Sequence, residues 1–85
     1  MPAMTDQIRE ILSEHARMPV DLATLKDNDD LYDSGMTSHA SVQVMLGLEE
    51  AFDVEFPDSM LTRSVFGSIA SIASAIEQLG RAAAA

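Results

Sequence analysis

The sequence predicts a small all-α bundle, with three main helices, one short helix and a long loop between the first two. Three observations lead there. Apolar residues recur at helical spacing in three separate segments. No stretch shows the period-two alternation of a half-buried strand. A long run between the first two segments carries scattered leucines without regular spacing.

The first helix is expected from Thr5 to Arg17. Met4, Ile8, Ile11 and Leu12 recur on one face, with Asp6, Arg9, Glu10 and Glu14 between them. Thr5 reads as its N-cap, and Asp6 complements the positive end of the helix dipole. Pro19 ends it, because the residue before a proline avoids the helical region. From Met18 to Thr37 the chain reads as loop. Val20, Leu22, Leu25 and Leu31 are spaced like anchors that pin a loop to a core. Asp27, Asn28, Asp29 and Asp30 make its middle turn-prone. Gly35 stands where a backbone angle closed to other residues is needed.

The second helix is expected from Ser38, as N-cap, to Phe52 or Asp53. Projection at about 100° per residue separates two faces. Ser41, Val44, Met45, Leu48 and Phe52 form the core side. His39, Val42, Gln43, Leu46, Glu49, Glu50 and Asp53 form the other, mixing aliphatics and acids as a docking surface for a basic partner would. Pro57 then punctuates the chain, and Asp58 caps a short helix to Arg63. The last helix runs from Ser68 to Leu79, burying Ile69, Ile72, Ala73, Ile76 and Leu79. Gly80 reads as its C-terminal cap. The organisation is thus one domain over residues 1–80, with residues 81–85 as a frayed tail.

Composition narrows the function. The 85 residues suffice for one modest core. Without cysteine, the chain supplies no disulfide, thiolate ligand or cysteine nucleophile. Any thiol chemistry must come from an attached group. Five Lys and Arg against 14 Asp and Glu give a formal charge of −9, which repels nucleic acid and attracts basic protein surfaces. No basic-then-apolar leader and no apolar run of about 20 residues is present, so a cytoplasmic monomer away from membranes is expected.

Three candidate chemistries arise. Asp27, Asp29 and Asp33 resemble alternate calcium ligands. Counted from Asp27, however, a calcium loop would need oxygen, glycine and glutamate where Leu31, Tyr32 and Ser38 stand. Ser38 and His39 are adjacent, so on a helix they point about 100° apart and make no nucleophile–base pair. His15, near the end of the first helix, reads as a packing or dipole-complementing residue. No cleft for catalysis is expected, and no set of catalytic residues emerges. Ser38 remains as an acceptor: exposed, after a long loop, beside the free backbone N–H groups of a helix start.

The run from Asp33 to Asp58, DSGMTSHASVQVMLGLEEAFDVEFPD, resembles the acyl and peptidyl carrier proteins. That family shares Asp-x-Gly-x-Asp-Ser-Leu, a helix with Val and Leu, Leu-Glu-Glu-x-Phe and an Ile-Pro element. Asp33, Gly35, Ser38, Val42, Leu48, Glu49, Glu50, Phe52, Phe56, Pro57 and Asp58 fall in register without a gap. The resemblance implies a four-helix fold and a 4′-phosphopantetheine arm on Ser38, added from coenzyme A by a phosphopantetheinyl transferase. It implies partner docking through His39, Val42, Leu46, Glu49, Glu50 and Asp53, with Met60 nearby. Two departures matter: Thr37 replaces the usual aspartate or histidine, and His39 the usual leucine or isoleucine, putting a polar ring where long acyl cargo prefers an aliphatic neighbour. The pattern is most similar to freestanding aminoacyl carrier proteins, loaded by ATP-dependent ligases related to class II aminoacyl-tRNA synthetases. A downstream acceptor enzyme is then required. The alternatives are a carrier of fatty-acid or polyketide-type chains and an unmodified acidic interaction module.

Overall fold

The structure, a computed structural model, describes residues 4–16 and 21–84. Four helices follow in order: α1 (Met4–His15), α2 (Ser38–Phe52), α3 (Arg63–Phe66) and α4 (Ile69–Ala84). Short 3-10 turns occupy Leu22–Thr24 and Asp58–Met60. No strand occurs among the described residues, as the periodicity predicts.

The core forms where the apolar stripes of the three long helices meet. Ile8, Ile11 and Leu12 of α1 face Ala40, Val44 and Leu48 of α2 and Ile69, Ile72, Ala75 and Ile76 of α4. Each fully buried aliphatic side chain contributes roughly 1.5–3 kcal/mol relative to exposure. Met45, Phe52, Ala73 and Leu79, expected inside, are half-buried at the edge. Phe56 and Phe66 close one end, their ring centroids 5.2 Å apart in a tilted pair. Gly47 leaves room on α2 for the His15 ring of α1. A Cβ there would lie 2.8 Å from Cδ2 and 2.9 Å from Nε2 of His15, which packs as expected in the last turn of α1.

The loop is held as the leucine spacing suggests. Leu22 and Leu31 are buried and Leu25 packs against the core. Its backbone is tied to the far side of the bundle: Leu31 N–H donates to the Gly67 carbonyl at 2.7 Å, and Ala70 N–H to the Asp27 carbonyl at 2.9 Å. Arg9 adds a clamp from α1, donating to the Leu22 carbonyl and pairing with Asp27 at 2.7 Å.

Several boundaries differ from expectation. Helix α1 begins at Met4, so Thr5 lies inside its first turn and is not the N-cap. The expected end at Arg17 and Pro19, and the anchor Val20, lie outside the described residues. The expected helix from Asp58 to Arg63 is split: Asp58–Met60 is a 3-10 turn entered from Pro57, and α3 starts only at Arg63, capped by Thr62. The break lies at Leu61 (φ −83, ψ 63) and Thr62 (φ −128, ψ 159), whose backbones leave the helical region before Thr62 caps α3. At the other end, α4 runs through Gly80 to Ala84, so it does not stop at Leu79 and Gly80 is not its C-terminal cap. One interior glycine costs only about 1 kcal/mol, and the alanines beyond it are the strongest helix formers.

Candidate functional site

The segment Asp30–Thr37 sets the start of α2. Asp30 Oδ1 accepts from the N–H groups of Tyr32 (2.9 Å) and Asp33 (3.2 Å), forming an Asx-type turn. Ser34 Oγ donates to the Asp30 carbonyl at 2.9 Å. The Asp30 carboxyl is held below its ordinary pKa: the Asp33 amide contributes most, desolvation opposes it, and the Tyr32 amide and Arg63 add to the lowering. Gly35 then takes φ 118, the left-handed geometry its position in the sequence suggests. Met36 turns inward and is buried.

Thr37, not Ser38, caps α2. Its backbone is extended, at φ −85 and ψ 163, and its Oγ1 accepts the Ala40 N–H at 3.0 Å. Serine and threonine cap about equally well, so residue type could not separate neighbours. Ser38 therefore becomes the first helical residue. With the cap supplied by Thr37, the Ser38 side chain is exposed and unused by the helix, while its carbonyl accepts from Ser41 Oγ at 2.6 Å. The N–H groups of Ser38 and His39 have no intrahelical acceptor, which suits them to an anionic oxygen.

Beside Ser38 lies a groove of about 420 Å³ that no spacing in the sequence predicts. Ser38, Ser41, Val42 and Met45 form its α2 wall, and Leu61, Thr62, Arg63 and Phe66 face them. Tyr32 lies between, with the Arg63 guanidinium 4.8 Å above its ring. The groove assembles residues from Tyr32 to Phe66, drawn from separate segments, so no local motif announces it. A group bonded to Ser38 Oγ fits here: the hydroxyl is free, the walls are largely apolar, and one cation stands among them.

The predicted docking residues divide. Val42 and Leu46 stand about half exposed on the outer flank of α2, with Glu50 and Asp53 exposed near them. Leu61, which no sequence pattern singles out, is also an exposed large apolar side chain and with Val42 lines the groove. Glu49 is partly withdrawn: its Oε2 accepts the Phe56 N–H at 2.9 Å, holding the turn after α2. Asp53 ends the helix in the left-handed conformation, φ 53, and donates its N–H to the Glu49 carbonyl. Met60 packs inward. His39 does not line the groove of Ser38. It opens on a separate cleft with Glu14, His15, Thr37 and Gln43, so the ring expected beside the arm faces another way.

Among the described residues no cluster of three or more metal-ligating side chains occurs. No described helix is long and apolar enough to cross a membrane.

Comparison with known proteins gives one consistent answer. The family model described as phosphopantetheine attachment site matches residues 6–76. An aminoacyl carrier protein of Agrobacterium fabrum is 52% identical over 69 residues, 81% of this chain and 83% of that protein. An acyl carrier protein of Campylobacter curvus is 32% identical over 80 residues, covering 93% of this chain and 99% of its own. Among solved structures, a carrier protein from Agrobacterium tumefaciens superposes with a TM-score of 0.86 at 47% identity, over 89% of this chain and 99% of that one. It was crystallised with an engineered Bradyrhizobium japonicum glycine:carrier protein ligase and ATP. A solution structure from Agrobacterium tumefaciens superposes at 0.75 with 47% identity, over 96% of this chain and all of the other.

Proposed function

The chain belongs to the phosphopantetheine attachment site family, and from that premise we propose that it carries an amino acid as a thioester on an arm joined to Ser38. The carrier role and the 4′-phosphopantetheine group are those of the family. The protein is the substrate of other enzymes and not itself one. The observation that carries the aminoacyl reading is the 52% identity to an aminoacyl carrier, against 32% to an acyl carrier. The likeness to a carrier crystallised with a glycine ligase supports the same reading.

Ser38 is the acceptor because its hydroxyl is exposed, spared from capping and in register with the family serine. In the attachment step, Ser38 Oγ bonds to the phosphorus next to pantetheine in coenzyme A. The pyrophosphate bond breaks, adenosine bisphosphate leaves, and the hydroxyl proton passes to the transferase. Once attached, the arm supplies the thiol that the cysteine-free chain lacks. The chain's own contribution is to fix the attachment point, present the groove, and offer its acidic helix to partners.

We assign partner docking to the outer flank of α2, with His39 at its start, then Val42, Leu46, Glu50 and Asp53. Leu61 extends the apolar part across the groove. Two exposed aliphatics ringed by carboxylates suit a partner with an apolar contact and a basic rim. Glu49 and Met60 act indirectly, by shaping the turn and the core behind this surface. A phosphopantetheinyl transferase, an ATP-dependent amino acid ligase and a downstream acceptor enzyme would use it in turn.

Intact-mass measurement tests the proposal. Incubated with coenzyme A and a broad-specificity transferase, the protein should gain one phosphopantetheine, and Ser38→Ala should gain none. A gain that survives Ser38→Ala would place the arm elsewhere. The loaded protein, offered ATP, a carrier-protein ligase and a panel of amino acids, should gain one aminoacyl group. Loading only by malonyl or fatty groups would overturn the aminoacyl reading.

A further inference from the structure

The groove beside Ser38 contains one charged side chain, Arg63, and its setting is unusual. The chain has only five Lys and Arg residues, so a cation placed here is distinctive. Its position is fixed from two directions. The guanidinium carbon lies 4.8 Å from the centre of the Tyr32 ring, within cation–π range. Nη2 faces Asp30 Oδ2 at 3.5 Å and Asp33 Oδ1 at 3.6 Å. Both separations exceed those of a good charge-assisted hydrogen bond, about 2.7–2.9 Å. Both contacts also use the same nitrogen. Nη1 and Nε make no hydrogen bond among the described residues, so one edge of the fork is open.

An arginine fork matches two oxygens of a phosphate as it matches a carboxylate. The carboxylates of Asp30 and Asp33 orient the guanidinium without saturating it, and Tyr32 supports it from below. We infer that Arg63 is an arm-positioning residue: its open edge pairs with the phosphodiester on Ser38 and directs the arm along the groove past Val42, Met45 and Leu61. This rests on Ser38 being the attachment site. The pairing also offsets the negative charge that the phosphodiester adds to an already acidic protein. Asp30 acts through Arg63: it sets the turn that carries Tyr32 and tethers the guanidinium above it.

Nuclear magnetic resonance of the full chain, before and after loading with phosphopantetheine, tests this directly. The Arg63 Nε–Hε and Tyr32 ring resonances should shift on conversion, together with those of Ser38 and His39. The phosphorus resonance of the loaded protein should move in Arg63→Gln and move less in Arg63→Lys, which keeps the charge but loses the fork. The Arg63 side chain is 65% exposed, so both variants should keep the fold, as their amide spectra would verify. Shifts confined to Ser38 and His39, with a phosphorus resonance unmoved by Arg63→Gln, would show the arm pointing away and overturn the inference alone. A protein that gains no mass with coenzyme A would overturn the Ser38 assignment, and this inference with it.

Discussion

On the inner flank of α2, Val44 and Leu48 are fully buried, and Gly47 lies against the His15 and Ile11 side chains of α1. On the outer flank, Val42 and Leu46 leave 48% and 50% of their surface in solvent. The residues are chemically alike, and only their place around the helix differs. The inner flank is fastened by apolar packing and fixes where the helix lies. The outer flank and the groove are left unfilled, so the helix can present Ser38 without spending core residues on it. In a small domain, stability and presentation must share one element, and here they share it by face.

Truncation on each flank tests that contrast with the largest expected effect. Leu48→Ala removes a fully buried side chain and should cost about 2–5 kcal/mol, a large part of the stability of a small domain. Leu46→Ala should change stability by no more than about 0.5 kcal/mol. Its effect should instead fall on the rate at which a ligase loads the arm, which should drop several-fold. Urea unfolding and a loading assay on the same two proteins check both. A destabilising Leu46→Ala would mean that the outer flank is structural after all.

Much of this division is legible in the sequence, because it is periodic. The stripes Ile8–Ile11–Leu12, Val44–Leu48 and Ile69–Ile72–Ile76 repeat at helical spacing and are buried. The odd aliphatics Val42 and Leu46 fall on the wrong face for a core, and they are exposed. What escaped was either degenerate or non-local. Thr37 and Ser38 are both good caps, and only the backbone angles separate them. The groove draws Tyr32, Val42 and Arg63 from three segments, and no spacing rule joins them. The acid of Glu49 looks like a surface charge until the Phe56 amide is seen to claim it.

The junction between flanks is Thr37, and a capping test probes it. Thr37→Ala frees the Ala40 N–H and should cost about 1 kcal/mol. In a domain of this size that lowers Tm by roughly 4–8 °C. Thr37→Asp keeps an acceptor and adds a charge favourable to the helix dipole, so it should match or exceed the parent. Thermal unfolding of the three proteins decides it. Equal melting of Thr37→Ala and the parent would return the cap to Ser38.

The smallest effect expected is a pH dependence confined to the groove side. The Asp30 pKa is lowered from 3.8, chiefly by the Asp33 amide, with the Tyr32 amide and Arg63 assisting. A depressed carboxylate favours the folded state when ionised. Its contribution is therefore present above the unfolded value and lost as pH falls through the folded one. Asp30→Asn keeps an oxygen for the two amides but removes the charge. The parent should be slightly more stable than Asp30→Asn near neutral pH, and the difference should vanish below the carboxylate range. Hydrogen exchange localises the change. Acid should loosen the Tyr32 and Asp33 amides, which bond to Asp30, while the amide of buried Val44 keeps its protection. Apolar packing carries no such proton dependence. Equal acid sensitivity at Val44 would mean that the two flanks open as one unit, and that the turn carrying Tyr32 is no more separable from the core than α1 is.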